Sequence, residues 1–477
     1  MKIILEKLYK YFFCFIGCSA IVLYPITFIY SQNIEEISLL SLLPLAGKFL
    51  LVAFIAFAVF GGMTRSLART FFLTVISLLF IMNFKRIEAV LSFIIPAIKY
   101  WHVLTVMAII LVYAYLKVRN EEIILSFSKV IVLVVWGLIA WNILRCIPAM
   151  IRQEQQIENT DSSSISENTQ MPNIYYLVFD EYSSINFMRK YYNYDNTPLA
   201  TELEEKGFDV SYSSSNEAYV TQICMTNNLN MDFLFDMSMH NNAELTSQIT
   251  EKRYNNLVFE ILRANGYQII GIGHPEFYGL PRIEGGNTSA GTTMEGKSLE
   301  QLMVEETLFY PFYVPNPSSK FSDIMRSVDF ICSMDKPEQP TFLLFHIEST
   351  HTPFVVGRTG QPISGEHALD WANKEYYLGT YIYTNQLIEK IVGAIQKRDP
   401  EGIILIQSDH SARASDSGYE NMFEEADKCQ IFNALYWKDN PLNIEGLSGI
   451  NTMRLLFNQL FGLEYSMLNT YPLMEVS

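Results

Sequence analysis

Four apolar runs in the second half of the chain end in residues that can carry chemistry. "IYYLVF" at 174–179 leads into Asp180 and Glu181, and "QIIGIG" at 268–273 leads into His274. "TFLLF" at 341–345 leads into His346, with His351 just beyond, and "IILIQ" at 403–407 leads into Ser408, Asp409 and His410. One histidine behind a strand is an ordinary turn residue. Four strand ends with the same residue types are a pattern, because open α/β sheets collect ligands outside the carboxyl ends of their strands. Imidazole and carboxylate together suit a borderline divalent cation such as Zn2+ or Mn2+.

A cation polarises a substrate but does not hold a covalent intermediate. "NEAYVTQICMTNNLNM" at 216–231 supplies a candidate, Thr221, where a polar loop turns into a helical pattern. A Thr hydroxyl is a poor nucleophile until deprotonated, and a metal together with a helix N-terminus would supply activation and an anion site. Taken alone, Thr221 reads more often as a plain N-cap. Cys224 lies close by and reads as a core thiol.

The elements that must position these residues follow from periodicity. Continuous apolar strands alternate with helical patterns near 199–206, 252–265, 319–332 and 372–397, and "CQIFNALYW" at 429–437 reads as a later strand. This predicts an α/β domain over 174–477, with a mostly parallel central sheet covered by helices. The first third is different. Uncharged apolar runs at 11–31, 49–63, 70–84, 100–116 and 130–144 predict a transmembrane bundle of about five helices over 1–150, with 87–98 as a re-entrant or interfacial piece. The polar stretch 151–173, rich in Ser, Gln, Glu and Asn, reads as a flexible linker. Lys2, Lys7, Lys10, Arg65, Arg69, Lys117 and Arg119 mark the cytoplasmic ends, which places the C-terminal domain outside; Lys85, Arg86 and Lys99 run against that rule.

The net charge of −16 argues against nucleic acid as a partner. The six cysteines, at 14, 18, 146, 224, 332 and 429, form no disulfide framework and no CxxC metal ribbon.

In order and spacing, "PNIYYLVFDEYSS", "YVTQICMTNNLNM", "FHIESTHTPF" and "QSDHSAR" resemble the alkaline phosphatase/sulfatase superfamily. The resemblance is nearest to its membrane-anchored transferases, the lipoteichoic acid synthases and the lipid A phosphoethanolamine transferases. It implies a metal site of Asp180, Asp409, His410 and the oxygen of Thr221, with Thr221 as nucleophile and Glu181 as an extra ligand if the site is of the sulfatase type. His351 and His274 fall where the superfamily contacts the transferred group, and His346 falls in or just behind that set. Arg282 and Arg413 are candidate phosphate contacts. Cys224 does not stand in the Cys-x-Pro-x-Arg context that sulfatases use to make formylglycine. The chain departs from the transferase pattern in carrying Asp180 rather than Glu, Ser411 rather than Gly, and no His after 410.

The implied activity is a metal-dependent phosphotransferase with one divalent cation, Zn2+ or Mn2+ by donor type and Ca2+ or Mg2+ as harder alternatives. It would move a phospho-headgroup of the phosphoglycerol or phosphoethanolamine type from a phospholipid donor to a glycan or lipid acceptor of the cell envelope. The expected location is the cytoplasmic (inner) membrane, multi-pass, with the catalytic domain extracytoplasmic. Two other readings stay open: a membrane-anchored phosphodiesterase or sulfatase of surface glycans, and a non-catalytic envelope-assembly protein.

Overall fold

The computed structural model describes residues 2–32, 42–95, 97–117, 119–161, 171–239, 243–283, 286, 299–313, 317–363, 372–413 and 422–469. The chain begins with α1 (Lys2–Gln32), α2 (Leu42–Thr64), α3 (Leu67–Met82), α4 (Phe84–Ile94), α5 (Tyr100–Lys117) and α6 (Glu121–Asp161). There follow β1 (Ile174–Phe179), α7 (Ile185–Tyr192), α8 (Thr197–Glu205), β2 (Phe208–Ser211), α9 (Thr221–Asn230), α10 (Ala243–Tyr254), α11 (Leu257–Ala264) and β3 (Gln268–Gly273). The last elements are α12 (Leu299–Glu305), α13 (Pro317–Ser333), β4 (Thr341–Ile347), α14 (Lys374–Arg398), β5 (Ile403–Gln407), α15 (Glu425–Lys428), β6 (Asn433–Tyr436) and α16 (Gly449–Phe461).

The chain divides into two compact units, one of residues 1–152 together with the segment around 299–313, the other of the remaining catalytic-domain residues. In the first unit, residues 10–32, 42–64, 100–117 and 121–147 are long and apolar enough to cross a membrane. Helices α3 and α4 meet at a 69° bend and make a fifth span if counted as one broken helix. Each apolar run in the sequence thus falls on a helix, and the stretch expected to be re-entrant or interfacial falls largely on α4. The α2–α3 turn and the start of α6 share one end of the bundle, where Ser66 Oγ donates to Glu121 Oε1 at 2.6 Å.

At the opposite end of the bundle sits the 299–313 segment. Lys48 pairs with Glu300 at 2.7 Å and Arg86 with Glu306 at 2.8 Å, while the Lys85 ammonium lies 4.0 Å from the centre of the Tyr310 ring. Two of the basic residues that ran against the charge rule, Lys85 and Arg86, therefore have partners from a distant part of the chain. The expected linker differs too. Its first eleven residues, 151–161, continue α6 as helix, because Gln, Glu and Arg are good helix formers even without apolar periodicity.

The second unit is built on a six-stranded sheet of order β2-β6-β5-β1-β4-β3. Strands β5, β1, β4 and β3 are parallel, whereas β6 runs antiparallel to β5 and β2 antiparallel to β6. β1 is buried along its whole length. On one face Tyr175, Leu177 and Phe179 join a core with Val328 of α13 and Ile388 and Ile391 of α14; on the other, Tyr176 and Val178 join Met225 of α9, Phe259 of α11 and Leu456 of α16. Each such buried side chain contributes about 1.5–3 kcal/mol, so the strands that carry the site are anchored on both faces.

Register brings the strand ends together. Val178 lies level with His346 on β4 and with Gln407 on β5, and Gly273 lies level with His346 from the other side. Gly273 takes φ +88°, and a Cβ there would lie 1.9 Å from the His346 carbonyl oxygen. Only glycine lets β3 close against β4 at this point. The four strand ends read from the sequence therefore emerge at one edge.

Candidate active site

Asp180 follows β1 with its backbone fixed by β4: its N–H donates to the Ile347 carbonyl at 3.1 Å, and its own carbonyl accepts from the Thr350 hydroxyl. The next residue, Glu181, turns the chain through a left-handed conformation at φ +55°. That turn aims the Glu181 N–H at Asp409 Oδ1, 3.1 Å away across the sheet. Asp409 Oδ1 also accepts from the His410 N–H at 2.9 Å. One oxygen of Asp409 is thus fully engaged by backbone, and the other, Oδ2, is left 3.2 Å from His410 Nε2.

His410 is oriented by its far nitrogen. Nδ1 lies 2.8 Å from the Ser411 carbonyl, and since a carbonyl only accepts, Nδ1 carries the proton and Nε2 presents its lone pair. Ser411 is fixed in turn: its hydroxyl donates to the Gln430 carbonyl at 2.7 Å and accepts from the Ser184 N–H at 3.2 Å. The residue that stands where the superfamily prefers Gly is a brace for this loop.

Thr221 is the first residue of α9 and follows an extended Val220. Its Oγ1 lies 3.3 Å from His410 Nε2 and donates to Asp180 Oδ2 at 3.5 Å. Among the described residues, Asp180, Asp409 and His410 form a group whose ligand atoms all lie within 4.8 Å of one another, and all three are buried. Asp180 Oδ1 and Asp409 Oδ2 are buried without a hydrogen-bond partner. Buried oxygens of this kind ordinarily find one.

The electrostatics agree with a missing positive charge. Burial, then the negative charges of Asp409, Glu181 and Glu348, push the Asp180 carboxyl well up, and Arg413 opposes them. Asp409 goes the other way: burial pushes it up, but His410, His346 and the Thr221 hydroxyl together hold it down. Burial also keeps His410 neutral. Two adjoining carboxyls held apart in this way share one negative charge, and a bound divalent cation would let both ionise. The residues present fit such a cation.

The other residues surround this cluster. Arg413 Nε donates to Glu181 Oε1 at 2.7 Å, and Arg413 Nη2 donates to His351 Nε2 at 3.1 Å. The Glu181 carboxylate is thereby committed to an arginine. His351 Nδ1 faces the Thr352 carbonyl at 2.6 Å, which fixes its tautomer. His346 is second to Asp180, with Nε2 3.8 Å from Oδ2 and Nδ1 2.5 Å from the Tyr278 hydroxyl; burial pushes its pKa down to about 4. His274 Nε2 stands 3.5 Å from Glu348 Oε1, and burial pushes its pKa down to about 3, with the charges of His346, Arg282 and Lys320 adding. Arg282 itself pairs with Glu276.

Two residues of this site were not singled out in the sequence, Glu348 and Lys320. Glu348 lies inside "FHIESTHTPF", and its position just past β4 was the available signal. Lys320 comes from α13, where a Lys in an amphipathic helix reads as solvent-facing. It is instead buried, donating to the His351 carbonyl at 2.6 Å and lying 3.8 Å from Glu348 Oε2. Cys224 is buried with its Sγ on the Ala218 carbonyl at 3.2 Å, and burial pushes its thiol well up, as expected of a core residue.

The sulfatase family model matches residues 172–438, more than half of the chain. The chain belongs to the sulfatase family. No curated protein matches it. Among solved structures it is similar to the zinc complex of the C-terminal periplasmic domain of EcEptC from Escherichia coli, at 12% identity and TM-score 0.38 over 65% of this chain and 89% of that one. It is similar also to the lipoteichoic acid synthase LtaP from Listeria monocytogenes, at 12% identity and TM-score 0.40 over 66% and 79% of the two chains. The lipooligosaccharide phosphoethanolamine transferase EptA from Neisseria meningitidis matches at 12% identity and TM-score 0.38 over 72% and 69%. In this chain Thr221 stands at the head of α9, beside the acid–imidazole cluster.

Proposed function

We propose that the chain is a membrane-anchored, metal-dependent phosphotransferase that carries a phospholipid-derived phospho-headgroup to a cell-envelope glycan or lipid through a phospho-Thr221 intermediate. The headgroup is of the phosphoglycerol or phosphoethanolamine type. What supports this most is the Thr221 hydroxyl lying within reach of both His410 Nε2 and Asp180 Oδ2 at a helix N-terminus. Asp180, Asp409, His410 and the Thr221 oxygen would hold one divalent cation, Zn2+ or Mn2+ by donor type, which when bound lowers the pKa of the Thr hydroxyl and neutralises phosphoryl charge.

The chain's own residues do the rest. Asp180 Oδ2 accepts the Thr221 hydroxyl and so aims a lone pair of Oγ1 outward. The N-terminus of α9 favours the negative charge that gathers there. Thr221 Oγ1 forms a bond to the donor phosphorus as the bond to the lipid hydroxyl oxygen breaks, and the Thr proton ends on that leaving oxygen. An acceptor hydroxyl then displaces Thr221, which regains a proton. Arg413, Lys320, His351 and His274 are the groups that would hold the phosphoryl oxygens and the headgroup.

The membrane helices on the same chain support a donor taken from a bilayer. The cationic N-terminal, α2–α3 and α5–α6 segments support a cytoplasmic (inner) membrane topology with an extracytoplasmic catalytic unit.

Incubating the solubilised full-length protein with labelled phospholipids and weighing the Thr221 peptide tests the proposal. The expected result is an adduct whose mass names the headgroup and which disappears in Thr221→Ala. Transfer that persists in Thr221→Ala would overturn the reading. An adduct discharged by water with acceptor present would mark the chain as a hydrolase.

A further inference from the structure

Among the described residues, the exposed large apolar side chains fall almost wholly between positions 11 and 147, on the membrane helices. The exceptions are Phe309, Phe312 and Met467. Phe309 is 39% exposed and Phe312 67%. Both stand on the 299–313 segment, which belongs to the membrane unit although the chain reaches it from the catalytic one.

The segment is built to stay there. Leu299 and Met303 are buried in the same core as Phe49 and Phe57 of α2. The Leu308 N–H donates to the Ile81 carbonyl at 2.8 Å, the Tyr100 hydroxyl donates to the Leu308 carbonyl at 3.1 Å, and the Tyr310 hydroxyl donates to Glu88 Oε2 at 2.7 Å. With the Lys48–Glu300 and Arg86–Glu306 pairs, these contacts tie it to α2, α3, α4 and α5 at one end of the bundle. A cleft of about 240 Å3 opens beside it, lined by Phe49, Val52, Val304, Phe309 and Phe312 with Lys48 at its side.

We infer that residues 299–313 form a membrane-interface element whose Phe309 and Phe312 rings lie among lipid acyl chains. A Phe two-thirds exposed to water is unfavourable, and a patch of such rings marks a contact surface. Here Phe309 and Phe312 line a cleft with Phe49 and Val52 of α2, and α4, bonded to the segment through Glu88, exposes Val90, Phe93 and Ile94. The Lys, Arg, Glu and Tyr groups that hold the segment are those that sit at the headgroup level of a bilayer, where aromatic rings and snorkelling cations gather. The partner is therefore the lipid itself. The inference rests on the helices spanning a membrane and not on any chemistry at Thr221.

The test uses the full chain in vesicles of phosphatidylethanolamine and phosphatidylglycerol, with a benzophenone amino acid at position 309 or 312 and, as control, at the catalytic-unit position Glu401. Illumination is expected to yield lipid-mass adducts on the peptides carrying 309 or 312 and none at 401. Adducts to protein alone, or none above the control at both positions, overturn the inference. Phe312→Trp offers a second measurement with a native-like side chain. Its added emission is expected to be quenched by lipids brominated in their acyl chains, and an unquenched gain would count against the inference.

Discussion

The Thr221 hydroxyl lies 3.3 Å from His410 Nε2, although the two residues are 189 positions apart in the chain. The contact joins the head of α9 to the end of β5 and makes the hydroxyl part of the acid–imidazole cluster. A capping threonine would need no such partner. Thr221→Ala is expected to lower transfer by roughly 1,000-fold or more, the scale of a lost nucleophile, while Thr221→Ser retains part of it. Initial rates with labelled phospholipid, run beside circular dichroism to show an intact fold, check both.

Metal removal follows from the two buried oxygens without hydrogen-bond partners, Asp180 Oδ1 and Asp409 Oδ2. Dialysis against chelator is expected to abolish activity and lower the melting temperature. Restoring the cation to about 100 times its Kd should return about 2.7 kcal/mol of stability. Asp409→Asn and His410→Ala should each lower the bound metal measured by atomic emission, whereas the control Glu401→Gln should not.

Arg413 has a structural duty beside any contact with substrate. It bridges the Glu181 carboxylate and His351 Nε2, and Glu181 is almost fully buried. Arg413→Ala leaves that carboxylate unpaired and should cost about 3 kcal/mol of domain stability. The double change with Glu181→Gln should recover much of this. Chemical unfolding of the four variants in a double-mutant cycle reads the coupling.

Glu217 gives a pH dependence of definite sign. Its Oε1 accepts from the Asn227 amide at 2.6 Å, its Oε2 is sealed off without a partner, and burial pushes its pKa up to about 7. An unfolded chain releases this proton near the ordinary 4.5. Between those values the folded state holds the extra proton, so the contribution is complete below about 4.5 and is lost as pH rises through 7. Glu217→Gln, which keeps the neutral shape, should therefore raise the melting temperature at pH 8 relative to the parent and change it little at pH 4.5. The gap corresponds to on the order of 1–3 kcal/mol.

The strand ends were legible because a strand buried on both faces has no polar residues of its own, so Asp180, His274, His346 and Asp409 stand out where each run stops. Thr221 was legible only as an alternative to an N-cap, since nothing local reports that β5 ends beside it. β2 was missed because "FDVS" is four residues long and acquires its strand character by pairing with β6. Glu181 read as an extra ligand; its backbone takes φ +55° and its carboxylate is paired with Arg413, a partner that the sequence did not announce. Lys320 shows the limit from the other direction: its helix is amphipathic, but Lys320 is buried against Glu348 and the His351 carbonyl, in the loop that follows β4.

The packing of 299–313 with the membrane helices also bears on how this protein can be cut and expressed. The described segment 299–313 belongs to the membrane unit, although the chain leaves that unit within α6, at residue 152, and belongs to the other unit again from α13 onward. A single proteolytic nick after α6 would leave the catalytic unit joined to 299–313, which holds to the membrane helices through packing, hydrogen bonds and ion pairs rather than through the chain. A secreted fragment starting near residue 171 would carry Phe309 and Phe312 into water with their helical platform gone, and should be prone to self-association. Excising 299–313 from such a fragment is the change expected to make it well behaved in solution.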